Sequence, residues 1–98
     1  MNIKETKNGT ALTLEIEGRL ETTTAPELDN VIKTKLEGVT SLTFDISRLE
    51  YISSAGLRVL LTAQKVMNRQ GEMKVIGANE IVQEIFDITG FSDILTLA

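Results

Sequence analysis

The segment from Ser41 to Gly77 changes its hydrophobic period twice, and this constrains the fold more than any other feature of the chain. Its first part, "SLTFDIS", alternates apolar and polar residues as a strand does, and its last part, "MKVIG", is a second short strand. Between them, residues from about Ala55 to Gln70 follow a helical period that Gly71 ends. A strand, a helix and a strand in this order predict a right-handed parallel crossover.

Two strands and two helices flank this unit. The stretch "NIKETKNGTALTLEIEG" predicts two strands joined at Asn8 and Gly9, because this dipeptide tolerates positive φ. "TAPELDNVIKTKLEG" predicts a helix that begins with a capping box formed by Thr24 and Glu27. Asn79 then caps a third helix, "EIVQEIFDIT", and the tail "FSDILTLA" is either a last strand or a packed extended end.

The element order is therefore β-β-α-β-α-β-α, with a possible final strand and no linker or repeat to interrupt it. Leu12, Leu14 and Ile16 alternate with polar residues, so the strands have one face toward solvent. We predict a single α/β domain over residues 1–98, with a mixed sheet of four to five strands and helices packed mainly on one face.

Composition excludes several classes of function. The chain has no His and no Cys, which removes the commonest general base, the thiolate nucleophile and soft-metal sites. Its net charge is −4, and it has no Lys/Arg cluster to contact phosphates, so we expect no direct nucleic-acid binding. No apolar run approaches the roughly 20 residues that span a bilayer. We expect a cytoplasmic protein that is not an enzyme, binds no metal or cofactor and does not insert into a membrane.

Two adjacent serines, Ser53 and Ser54, lie where the predicted strand Leu42–Ser47 is followed by the second helix. In open α/β sheets this edge favours functional groups, and a helix N-terminus favours negative charge. One serine can simply cap the helix, which stabilises it by about 1 kcal/mol. No His or adjacent Lys is available to activate either hydroxyl as a nucleophile. A helix cap and a chemical target therefore remain as the two interpretations.

Two motifs carry a resemblance to a known family. "LTFDISRLEYISSAGLRVLL" resembles the signature segment of STAS domains, the family of bacterial anti-sigma factor antagonists. "IEGRLETTTAPEL" resembles the family's second landmark, a strand that ends in Gly-x-Leu before the first helix. In that family the phosphorylated serine lies two places before a Gly-Leu pair, which implies Ser54, since Gly56 and Leu57 follow it. The family often has Asp directly before this serine; here Ser53 occupies that place and is the alternative acceptor.

The resemblance implies an anti-sigma factor antagonist that works by partner switching. Its unphosphorylated form would bind an anti-sigma factor that is also a serine kinase, and so release a sigma factor. Phosphorylation of Ser54 would end this binding, and a serine phosphatase would restore it. We expect the free protein to be a monomer. The implied contact surface consists of Glu21, Thr22, Thr23, Ser53, Ser54, Ala55, Gly56 and Arg58.

STAS domains also occur as accessory subunits of membrane transporters, including lipid-transport ATPase complexes, without phosphorylation. That role keeps the fold and changes the function. The presence of Ser54 favours the partner switch over this alternative.

Overall fold

The domain consists of four strands and three α-helices, in the order that the sequence predicts. The computed structural model describes residues 1–98. The elements are β1 (Asn2–Asn8), β2 (Ala11–Leu20), α1 (Ala25–Lys35), β3 (Ser41–Ile52), α2 (Ser54–Gln70), β4 (Glu72–Ile76) and α3 (Glu80–Thr89), followed by a short 3-10 helix at Phe91–Asp93. The predicted order β-β-α-β-α-β-α and the α/β class are confirmed.

The strands form one mixed sheet in the order β1-β2-β3-β4. β1 pairs antiparallel with β2, while β3 is parallel to both β2 and β4. The C-terminal tail lies beside β4 and makes one parallel bridge, between Val75 and Leu97. There the Val75 amide donates to Thr96 O at 2.9 Å, and the Ala98 amide donates to Val75 O at 3.0 Å. The tail is thus a packed extended end with a single bridge to the sheet.

One face of the sheet carries the core. Leu14, Phe44 and Val75 are in register across β2, β3 and β4, and all three are buried. Their neighbours Thr13 and Thr43 are paired in the next row, which points to the opposite face and is partly exposed. The 24 buried apolar residues, most of them from strands and helices, form one cluster. The helices therefore pack on one face, as predicted, and the other face is polar.

Strand β3 is longer than predicted, because it runs to Ile52 rather than ending at Ser47. The pairing of β2 with β3 shifts register twice, between Glu15 and Glu17 and again between Gly18 and Arg19. These shifts insert two consecutive exposed residues into β3 before its alternation resumes at Leu49. The extension carries the chain to the edge of the sheet, where the serines follow.

The ends of α3 follow local sequence signals. The Val82 amide donates to Asn79 Oδ1 at 2.8 Å, so the predicted Asn79 cap is confirmed. Gly90 ends the helix with φ +81°, in the left-handed region that glycine adopts without strain. None of the helices combines the length and the apolar character that crossing a bilayer requires.

Candidate functional site

The site is at the edge of the sheet where the parallel strands β2 and β3 end together. Leu20 and Ile52, their last residues, are paired, and the Ser53 amide donates to Leu20 O at 2.9 Å. The loop that follows β2 and the start of α2 therefore lie side by side. This is the edge at which parallel α/β sheets place their functional groups.

Gly56 allows the first turn of α2 to pack against the end of β2. It is buried, and a β-carbon at this position would lie 2.7 Å from Leu20 Cγ, 2.8 Å from Ile52 Cγ1 and 3.0 Å from Leu20 O. The sequence placed Gly56 among the partner contacts. The residue is buried in the domain and contributes close packing, and its contact with a partner stays a prediction.

The two serines differ sharply in their surroundings. Ser53 is the N-cap residue of α2, and its carbonyl accepts from the Leu57 amide at 2.9 Å, but its hydroxyl is buried without a hydrogen-bond partner. Ser54 is the first residue of α2 and is exposed. The helix has no side-chain cap. The interpretation of the serines as a helix cap is therefore wrong, and only Ser54 presents a hydroxyl to solvent.

The electrostatic setting of Ser54 favours an anion. The first turn of α2 contains no acidic residue, and the first amides of a helix have no partner within it. The helix dipole adds a partial positive charge at the same end. Arg58 is exposed four residues later, one turn along the helix, while Ala55 between them is partly buried against the core. A negative group on Ser54 would thus be stabilised by the helix.

The loop after β2 is held by Thr24. The Thr24 hydroxyl accepts from the Glu21 amide at 2.9 Å and donates to Arg19 O at 2.8 Å. This hydroxyl makes no cap bond to α1, so the predicted capping box is wrong. The hydroxyl forms its hydrogen bonds within the β2–α1 loop instead. Thr22 and Thr23 lie at the tip of this loop and are exposed.

Arg19 and Tyr51 belong to the same surface, and sequence reasoning missed both. Arg19 Nε lies 2.7 Å from Glu21 Oε2, and its guanidinium carbon lies 4.7 Å from the centroid of the Tyr51 ring. The hydrogen bond from Arg19 to Glu21, reinforced by the carboxylate's charge, raises the pKa of Arg19 above its ordinary value. Arg19 and Tyr51 are paired in the parallel register of β2 and β3. The sequence could indicate this contact only if β3 were extended beyond Ser47.

The main grooves of the domain lie away from these residues. A groove of about 270 Å³ lies elsewhere, on the open face of the sheet. It is lined by side chains that are largely paired with one another, Lys4 with Glu15 at 3.8 Å and Arg48 with Glu17 at 3.3 Å. No group of acidic side chains is arranged to hold a metal ion. The candidate site is accordingly a surface formed by two loops and the first turns of α2.

A four-stranded mixed sheet covered by helices on one face, with polar loops and an exposed serine at its carboxyl edge, defines a small α/β domain whose candidate site is a surface. The sequence profile of the STAS domain family matches residues 2–98. The chain therefore belongs to the STAS domain family, and the resemblance seen in the sequence is confirmed.

The names of two similar proteins describe them as anti-sigma factor antagonists. The candidate anti-sigma factor antagonist BtrV of Bordetella bronchiseptica is 35% identical over 85 residues, which cover 85% of this chain and 73% of that protein. The anti-sigma-B factor antagonist of Staphylococcus epidermidis is 26% identical over 97 residues, covering 97% of this chain and 90% of that protein.

Solved structures share the fold at lower identity. An anti-sigma factor antagonist from Mycobacterium paratuberculosis matches with a TM-score of 0.88 and 18% identity, over 98% of this chain and 83% of that one. The Bacillus cell fate determinant SpoIIAA in its phosphorylated form matches with a TM-score of 0.77 and 15% identity, over 99% and 91%. A sulfate transporter family protein from Wolinella succinogenes matches with a TM-score of 0.76 and 20% identity, over 88% and 71%.

Proposed function

We propose that this domain is an anti-sigma factor antagonist controlled by phosphorylation of Ser54. In its unphosphorylated form it binds an anti-sigma factor that is also a serine kinase, in the cytoplasm, and the sigma factor is released. The kinase transfers the γ-phosphoryl group of ATP to Ser54 Oγ, which loses its proton, and ADP leaves. A serine phosphatase then restores the hydroxyl by hydrolysis, so the domain is a ligand and a substrate rather than an enzyme.

The observation that carries this proposal is the free hydroxyl of Ser54 at the N-terminus of α2. It is exposed, and it does not cap the helix. Ser53 is a poor alternative acceptor, because its hydroxyl is buried. The names of the relatives add support from outside the chain.

The contact surface we propose joins the tip of the β2–α1 loop to the start of α2. The two loops are adjacent because the Ser53 amide bonds to Leu20 O. Arg19 fixes the Glu21 carboxylate within this surface by a bond of 2.7 Å. The exposed or partly exposed members are Glu21, Thr22, Thr23, Ser53, Ser54, Ala55 and Arg58, although the Ser53 hydroxyl itself is buried.

Release follows from the position of the phosphate. A phosphoryl group adds about −1.5 to −2 charge at neutral pH. At the start of α2 the helix dipole and free amides favour that charge, so the domain stays folded. The loss of affinity then arises at the interface, where the phosphate clashes with the partner or repels its carboxylates or bound nucleotide.

The test is phosphorylation by purified candidate kinases from the same genome, with ATP and magnesium, followed by phosphopeptide mapping. We expect one phosphate, on Ser54, in the wild type and in Ser53→Ala, and none in Ser54→Ala. Binding of the unmodified domain to the same kinase, and its loss after modification, would complete the test. A competent kinase that modifies wild type and Ser54→Ala to the same extent would overturn the proposal.

A second candidate function is an accessory domain of a transporter, favoured by the shared fold of the Wolinella protein. In that role the domain would stay bound to a membrane protein, and Ser54→Ala would leave function unchanged. Co-purification with a permease or transport ATPase from native membranes, without phosphorylation by any kinase tested, would favour it.

A further inference from the structure

Helix α3 and the residues just after it expose large apolar side chains. The large apolar residues that the domain exposes are Ile81, Ile88 and Ile94, with exposed fractions of 58%, 76% and 46%. All three fall in one short C-terminal segment, and none belongs to the Ser54 surface described above. Exposed apolar side chains gathered in one region mark a docking site more often than scattered ones do.

The exposed row has a defined place on the helix. Ile81, Ile85 and Ile88 follow the spacing i, i+4, i+7, so they form one row along α3. Val82 and Phe86, one position later, form the neighbouring row and are fully buried in the core. Ile85 is half-buried against the core, so the uncovered apolar surface of α3 is centred on Ile81 and Ile88.

The row on the other side of the isoleucines is acidic. Glu80, Glu84 and Asp87 repeat the same spacing one position earlier, so they flank the exposed row along its whole length. Residues 80–98 contain four carboxylates, the fourth being Asp93, and no Lys or Arg. The segment therefore presents apolar and negative surface side by side, without a cation of its own.

We propose that this exposed row is a second docking surface, and that its occupant is a basic amphipathic helix of a protein partner. Apolar side chains of that helix would pack against Ile81, Ile85 and Ile88, while its Lys or Arg side chains would face Glu80, Glu84 and Asp87. This surface lies on a different helix from Ser54.

A second copy of the chain fits this surface poorly. Pairing α3 with itself would bring two acidic rows together, which is unfavourable. The helix is also short: α3 has 10 residues, hence about 15 Å of length, which by itself does not supply the roughly 800 Å² per partner of a stable dimer. A basic partner instead places its cations opposite the acidic row, which favours encounter and fixes the orientation of a small contact.

The test uses the whole chain, labelled with ¹⁵N, and a synthetic 18-residue helical peptide of Leu and Lys with Leu on one face. A matched peptide has Glu in place of Lys. We expect the Lys peptide to shift amide signals of residues 80–94, and the Glu peptide to shift none. Ile88→Ser should weaken binding about tenfold. Glu84→Gln should weaken it about threefold, whereas Glu27→Gln, an exposed carboxylate on α1, should not.

Several results would overturn the proposal. These are no binding of the Lys peptide at millimolar concentration, shifts that centre outside residues 80–94, equal binding of the Glu peptide, or unchanged affinity in a folded Ile88→Ser. Concentration-dependent shifts of this segment in the chain alone would identify a second copy as the occupant instead. Phosphorylation of Ser54 is measured separately, so either proposal can fail without the other.

Discussion

Gly56 lies so close to Leu20 that a larger residue there forces its neighbours to shift: a β-carbon at position 56 would lie 2.7 Å from Leu20 Cγ. Through this contact the first turn of α2 packs directly against the last residue of β2. It therefore sets the distance between Ser54 and the loop that begins at Glu21. The geometry of the proposed docking surface depends on a glycine that is itself buried.

The first prediction is that Gly56→Ala destabilises the domain. Alanine would gain about 1 kcal/mol of helix propensity over glycine. The overlap with Leu20 and Ile52, including the Leu20 carbonyl at 3.0 Å, forces shifts that typically cost about 1–3 kcal/mol. We expect a net loss of up to about 2 kcal/mol in urea unfolding. Ser54→Ala, in the same turn but exposed, is the control; equal stability of both variants would contradict the packing argument.

The second prediction compares two N-cap residues: Asn79, whose side chain bonds to its helix, and Ser53, whose hydroxyl does not. Asn79→Ala removes a bond to the Val82 amide and should lower the free energy of unfolding by about 1 kcal/mol. Ser53→Ala removes a buried hydroxyl that has no partner, so stability should stay unchanged or rise. Thermal unfolding of both variants measures the difference. A loss in Ser53→Ala as large as in Asn79→Ala would show that the Ser53 hydroxyl does make a bond in solution.

The third prediction concerns Arg19, which holds the Glu21 carboxylate and stacks on Tyr51. Arg19→Ala should weaken binding of the partner kinase because the loop loses its anchor, while the melting temperature changes little, since the pair is exposed. Amide hydrogen exchange of residues 21–24 should rise as well. Lys4→Ala, which breaks an exposed ion pair with Glu15 on another part of the sheet, is the matched control. Unchanged exchange and affinity in Arg19→Ala would refute this role.

Local signals in the sequence were enough for most of the fold. The hairpin at Asn8 and Gly9 and the Asn79 cap are decided by residues within a few positions of one another, and both are present. The one-sided core also follows from alternation alone. The position of Ser54 at the start of a helix, on the edge of the sheet, was likewise visible from the change of period.

Features decided by distant contacts were not predictable. The end of β3 was misplaced because two register shifts against β2 break the alternation near Ser47. Thr24 fits a capping pattern, yet its hydroxyl bonds to the Glu21 amide and the Arg19 carbonyl instead of an amide of α1. The contact of Arg19 with Tyr51 depends on the same shifted register. Burial of Gly56 likewise requires knowing which strand end lies beneath α2.

The fourth prediction is a pH effect at the C-terminal end of α3. Hydrogen bonds from Ser92 and Gln83 lower the pKa of Asp87 below its ordinary value of 3.8. A carboxyl whose pKa is lowered in the folded state stabilises that state above the unfolded pKa, and the stabilisation is lost as the pH falls through the folded pKa. The loss should therefore occur below about pH 4. In Ser92→Ala the pKa of Asp87, followed by NMR titration, should rise; a value unchanged from wild type would contradict the assigned cause.

The fifth prediction is that a negative charge at Ser54 alters docking and leaves folding intact. Ser54→Asp places a carboxylate at the start of α2, where the helix dipole should stabilise the domain by about 0.3–1 kcal/mol, while binding to the partner kinase is lost. Asn68→Asp is the matched control: it adds the same charge in the last turn and keeps the acceptor for Gln64, so stability should fall slightly and binding should persist. Melting curves and affinities of both variants decide the matter. A large drop in the melting temperature of Ser54→Asp with unaltered affinity for the partner kinase would contradict this prediction. The serine would then be needed for folding and not for binding.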